Sequence, residues 1–64
     1  MIELKAKYLS PQDLAEMLHV SVLTIYGWTS RQEIPFYRIG RLVRFNPEEI
    51  ERWLNKKRVE PYKM

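Results

Sequence analysis

Between Leu14 and Trp28 the chain reads LAEMLHVSVLTIYGW, and this stretch leaves little freedom in how its neighbours can fold. One short helical pattern stops at His19-Val20 and a second begins at once at Ser21. Two helices with almost no loop between them cross steeply. The second therefore projects from the body of the domain as an element on display.

The signals around that stretch fix the first helix to Pro11 through Leu18. Ser10 caps it, Pro11 suits the first helical position because its missing N–H would be unpaired there anyway, and Asp13 favours the positive end of the helix dipole. Leu9 and Leu14 stand at the two positions of a hydrophobic staple. The expected buried stripe is Leu14, Met17 and Leu18, with Ala15 on its flank as a small residue that lets a second helix approach. His19 reads as the turn residue, since His tolerates positive φ. It is the only histidine and has no cysteine or carboxylate cluster beside it, so a metal or catalytic role has no support. Val20 fills the core beneath the turn.

Ser21 caps the second helix, and Thr24 three residues on can return a side-chain bond as a weaker capping box. At 100° per residue Ile25 and Trp28 share one face, while Leu23, Tyr26, Gly27 and Ser30 share the opposite one. The first pair belongs to the core, and the second group faces solvent or a partner. Gly27 costs the helix roughly 1 kcal/mol relative to Ala. Either the helix is about to end and frays there, or a bare backbone allows close approach to a phosphate or groove wall; the sequence leaves both open. The helix ends near Ser30, and Arg31-Gln32-Glu33 connect it to Ile34-Pro35.

Phe36 to Phe45 reads as a hairpin. A two-residue turn at Gly40-Arg41 mixes Tyr37, Ile39, Leu42 and Arg44 on one face. A three-residue connection, Gly40-Arg41-Leu42, sorts Tyr37, Ile39, Val43 and Phe45 from Phe36, Arg38 and Arg44. The cleaner alternation favours the second register, because a one-residue slip turns every buried side chain outward. Asn46, Pro47 and Glu49 then start a third helix with a capping box, Ile50, Trp53 and Leu54 form its packing stripe, and Lys56-Lys57-Arg58 lie at its negative end. Met1 to Tyr8 reads as a short lead-in, either a strand or an extended arm with Ile2, Leu4 and Ala6 on one side, and Val59 to Met64 as a loose tail.

The expected fold is mainly α with a small β-hairpin: a winged helix-turn-helix. It occupies residues 1–64 as a single domain with a core of about 8–57. With 64 residues the chain buries only about 60% of its unfolded surface. It has no cysteine, so neither disulfides nor thiolate metal ligands support it. The N-terminal MIELKAKYLS lacks an apolar signal core and no apolar run spans a bilayer, which points to a cytoplasmic protein. No cysteine, second histidine or phosphate-binding glycine loop is present, and the carboxylates sit mainly at helix starts. The expectation is therefore no enzyme, no cofactor, no metal and no small-molecule ligand.

The charge does point to a partner. The formal net charge is +3 and the pI is about 9.5, a mild basic bias that suits a polyanion. Arg38, Arg41 and Arg44 recur every third residue across the hairpin with no acid among them, two expected on one face and one at the tip. Charge on an edge strand also prevents aggregation. Lysine would serve that purpose equally, whereas arginine suits phosphate clamping or minor-groove insertion. A projecting helix fits the DNA major groove. The candidate DNA-binding residues are thus Ser21, Leu23, Thr24, Tyr26, Gly27, Ser30, Arg31, Arg38, Arg41 and Arg44. The helix face has none of the Arg, Lys, Asn or Gln side chains that make most bidentate base contacts. Base discrimination from it should be modest, with DNA shape, the arginine wing or repeated sites bound side by side providing the rest.

In this order, LSPQDLAEMLHVSVLTIYGW, IPFYRIGRLVRF and NPEEIERWL resemble the excisionase-type, MerR-like winged helix-turn-helix domains of phage and plasmid regulators, over about Tyr8 to Leu54. The resemblance implies a small prokaryotic double-stranded DNA-binding protein, either an accessory factor for a site-specific recombinase or a transcriptional regulator. It assigns Ser21, Thr24 and Tyr26 to the recognition helix and Pro35, Arg38, Gly40, Arg41 and Arg44 to the wing. Two positions depart from the pattern: Gly27 stands where Arg is common, and Gln32 where Gly is common. The long C-terminal coiled coil of dimeric MerR proteins is not seen in this sequence. The competing reading is a winged-helix protein-interaction module, such as a phage assembly part, with Leu23 and Tyr26 as its apolar contact.

Overall fold

Each helix of the protein begins at a side-chain cap that its own sequence supplies. The computed structural model describes residues 7–61, in the order α1 (Pro11–Leu18), α2 (Val22–Ser30), β1 (Tyr37–Ile39), β2 (Leu42–Arg44) and α3 (Pro47–Lys56). At α1, Ser10 Oγ accepts from the Asp13 N–H at 3.0 Å and Asp13 Oδ2 accepts from the Ser10 N–H at 3.1 Å, a reciprocal capping box. At α2, Ser21 Oγ accepts from the Thr24 N–H at 3.2 Å and shares a 3.0 Å hydrogen bond with the Thr24 hydroxyl. At α3, Asn46 Oδ1 accepts from Glu48 N–H at 2.8 Å and Glu49 N–H at 3.4 Å. The expected box does not close there, because the Glu49 carboxylate accepts from the Tyr37 hydroxyl instead, at 2.9 Å.

The first two helices end in the same way. His19 has φ 57°, the Val20 N–H donates to the Ala15 carbonyl at 3.0 Å and the His19 N–H to the Glu16 carbonyl at 3.3 Å. This is the pair of hydrogen bonds of a Schellman motif, with His in the left-handed position that glycine usually takes. After α2, Gln32 has φ 56°, Glu33 N–H donates to Trp28 O at 2.8 Å and Gln32 N–H to Thr29 O at 3.1 Å. Gln32 thus holds the conformation for which glycine is better suited.

The buried cluster comprises Leu14, Ala15, Ile25, Ile34, Val43, Phe45 and Ile50, with Leu9, Leu18, Val20, Val22, Trp28, Phe36 and Trp53 packed against it. Pro11, Leu14 and Ala15 are the buried residues of α1. Its inward stripe is therefore 11, 14, 15 and 18, the i, i+3, i+4, i+7 set. Met17 lies off that stripe and is 60% exposed, contrary to expectation. Leu54 is 37% exposed at the edge of the core, and both line a groove with Leu9, Pro47 and Ile50. Trp53 locks α3 to the end of α2: its Nε1–H donates to the Glu33 carbonyl at 2.8 Å and its ring meets Trp28 edge to face at 5.4 Å. Ile34 and Thr29, neither anticipated, are buried, and the Thr29 hydroxyl donates to the Tyr26 carbonyl at 2.9 Å.

The hairpin corrects the register expected from alternation. Tyr37 pairs with Arg44, Arg38 with Val43 and Ile39 with Leu42, so the loop is the two residues Gly40-Arg41. Gly40 has φ 62° while Arg41 does not adopt positive φ, the pattern of a type II′ turn with glycine first. Such a turn matches the right-handed twist of the strands, and that preference outweighs tidy alternation. Phe36, Val43 and Phe45 face the core, and Tyr37, Ile39, Leu42 and Arg44 share the outer face. Leu9 bridges Phe45 through two backbone hydrogen bonds of 2.8 and 2.9 Å, tying the lead-in to the hairpin. Tyr8 meets Tyr37 edge to face at 5.7 Å. The expected arm over residues 1–6 and the last three residues of the tail lie outside the described residues.

His19 and Gln32 are both exposed, so glycine at either position relieves left-handed strain without loss of packing. Gln32→Gly and His19→Gly should each stabilise the fold by about 0.5–1 kcal/mol, the left-handed penalty less the added chain entropy of glycine. Urea denaturation checks this, and a lower midpoint in both variants would contradict it.

Candidate nucleic-acid interface

The turn His19-Val20-Ser21 sends α2 away from α1 with Ile25 fully buried and Trp28 half-buried on its inner side. Its outer side is open: Leu23 is 78% exposed and Tyr26 41% exposed, with Ser21 and Ser30 also exposed and Thr24 and Gly27 half-buried. The face expected to meet a partner is thus free among the described residues. It has no charge within Val22–Ser30 itself. The capping hydroxyls of Ser21 and Thr24 bond to each other, which fixes both at the start of the helix, where the dipole favours anions.

Arg31, the cap residue after Ser30, lies close to Gly27. A Cβ built on Gly27 would stand 3.3 Å from Arg31 Nη1. Arg31 Nε also pairs with Glu33 Oε1 at 3.2 Å, with both side chains more than half exposed. An exposed pair of this kind is worth only about 0.2–1 kcal/mol. It orients the guanidinium without sequestering it.

The three wing arginines do not form the expected arrangement of two on one face and one at the tip. The two-residue turn puts Arg38 beside Val43 and Arg44 beside Tyr37, on opposite faces. Arg38 stands over the Phe36 ring at 5.6 Å. Arg44 is half-buried and its Nη1 donates to the Val43 carbonyl at 2.7 Å. Arg41 is exposed in the turn and makes no ion pair or hydrogen bond with the described residues. Ile39 and Leu42, directly opposite each other, are also exposed at the tip. Alternation had assigned Ile39 inward and Leu42 to the loop; the shorter loop turns both outward.

A family model described as a helix-turn-helix domain matches residues 8–58. The chain belongs to this helix-turn-helix family. The family is one of DNA-binding domains, and the three helices with an antiparallel hairpin make this member a winged helix-turn-helix. No curated protein and no solved structure matches the chain. Among the described residues of this helix-turn-helix protein no helix is long and apolar enough to cross a membrane, and no group of His, Cys, Asp and Glu is placed to hold a metal ion.

The base of the wing is tied to α3 by the bond from Tyr37 to Glu49. Donation to the Glu49 carboxylate is the main reason that the Tyr37 hydroxyl holds its proton above the ordinary tyrosine value, with desolvation and then charge repulsion of a phenolate by Glu49 and Tyr8 adding to it. A raised folded value means that this stabilisation is fully present below the unfolded tyrosine pKa of about 10 and is lost as pH rises through the higher folded value. Chemical denaturation across alkaline pH should show this loss in the native chain and not in Tyr37→Phe. Parallel pH profiles for the two would refute the coupling.

Proposed function

We propose that this chain is a small excisionase-type DNA-binding protein of a prokaryotic cytoplasm, with α2 docked in the major groove and the wing in the neighbouring minor groove. Residues 1–64 act as one DNA-binding domain with a core of about 8–57. Its role is that of an architectural accessory factor for a site-specific recombinase, or of a transcriptional regulator binding beside further copies of itself. The observation that carries the reading is the combination of an open outer face on a capped α2 with an arginine-bearing two-residue hairpin. An arginine on each face and one at the tip suits a ribbon entering a minor groove, because phosphates line both walls.

Ser21, Thr24, Tyr26 and Ser30 would bond phosphates or single base edges through their hydroxyls, and Leu23 would pack on thymine methyl groups. Gly27 and Arg31 lie on or beside the same helix, and Arg38, Arg41 and Arg44 supply the wing. A second reading, a protein-interaction module, draws support from the exposed apolar side chains of Leu23, Ile39 and Leu42. These apolar groups also suit contacts with thymine methyls and sugar edges. The arginines have no comparable use in an apolar protein contact.

Binding to a random duplex at several salt concentrations separates the two readings. DNA docking through phosphates predicts a log–log salt slope of about −0.9 per phosphate neutralised, reduced in magnitude by about that amount in Arg41→Ala. Absence of salt-dependent binding at micromolar protein would favour the interaction module. A footprint on the native target with and without a recombinase then distinguishes accessory factor from regulator.

A further inference from the structure

The outer face of α2 is uncharged in sequence and yet lies next to a cation in the folded protein. Arg31 follows the last helical residue and sends its side chain back one turn, so that Nη1, Nη2 and Cζ lie 3.3, 3.8 and 3.9 Å from the Cβ position that Gly27 leaves empty. Gly27 shares its face with Leu23 and Tyr26, the exposed large hydrophobic side chains of the helix. The side chain is held from its other edge, where Nε meets Glu33 Oε1 at 3.2 Å. Glu33 in turn is placed by the bond from its N–H to the Trp28 carbonyl after the left-handed Gln32, and its carbonyl receives the Trp53 indole N–H. A side chain that usually samples many rotamers is thereby bracketed by backbone on one side and a carboxylate on the other.

We propose that Gly27 is the seat of the Arg31 guanidinium and that this pair, resting on the DNA-binding reading above, supplies the cationic DNA contact of α2. Glu33 occupies the Nε edge, and the two terminal nitrogens keep donors for an oxygen pair on duplex DNA, whether of a phosphate or of a guanine edge. Gly27 is thus neither a frayed end nor itself the point of approach to DNA. It provides the space in which the arginine lies along the helix.

Fluorescence anisotropy with a labelled random duplex over about 50–200 mM salt tests this in the wild type, Arg31→Ala, Gly27→Ala and the double variant. Arg31→Ala should weaken binding roughly tenfold, the scale of a hydrogen bond to a charged group, and lower the salt slope by about 0.9 if the contact is a phosphate. With a guanine contact, the loss should instead be seen as reduced preference among defined duplexes. Gly27→Ala displaces only the flexible end of the side chain, so it should raise Tm as a better helix former while weakening DNA binding several-fold. The double variant should bind no more weakly than Arg31→Ala alone. Gly27→Ala binding like the wild type, or its effect adding in full to that of Arg31→Ala, would overturn the seat. A wild-type chain that shows no salt-dependent binding would overturn the DNA-binding reading itself, whereas one that binds as Arg31→Ala does in affinity, slope and sequence preference would overturn this inference alone.

Discussion

The two left-handed residues, His19 and Gln32, are the constraint on which the rest of the structure depends. Each ends a helix with backbone hydrogen bonds and reverses the chain within a few residues. The first lets Val20 pack on the core and starts α2 at Ser21. The second aims Glu33 back at Trp28 and exposes its carbonyl to the Trp53 indole, so that α3 is fastened to the end of the displayed helix. In a chain too short for a large core, these reversals let three short helices share one buried cluster.

That arrangement also divides rigidity from display. Ile25, Trp28 and Thr29 fix the inner side of α2, while Leu23, Tyr26 and Ser30 stay open. The wing repeats the division: Phe36, Val43 and Phe45 anchor it, Tyr37 ties its outer face to Glu49, and the tip at Gly40-Arg41 is exposed. A rigid base under an exposed face suits DNA recognition, because contacts act only when they are held in place.

Much of the fold was legible in the residues because the signals act within a few positions. Ser10 with Asp13, Ser21 with Thr24 and Asn46 with Pro47 announce helix starts whose bonds span at most three residues. The His19 turn was equally local. Face assignment was less secure where packing decided it: Met17 turned out exposed, because Pro11 and Ala15 complete a stripe that leaves it outside. The hairpin register failed for a related reason. Alternation presumes a buried face along the whole strand, but the outer half of a wing has no core to face, and turn geometry then wins.

The sequence by itself determined the order of elements, the caps, the projecting helix and the arginine content of the wing, since these rest on local backbone chemistry and periodicity. Only the tertiary structure decided that Arg38 and Arg44 lie on opposite faces and that the Glu49 carboxylate goes to Tyr37. It also decided that Arg31 folds back over Gly27. Those outcomes depend on strand register and on where a flexible side chain finds space, and both are fixed only when distant segments pack together.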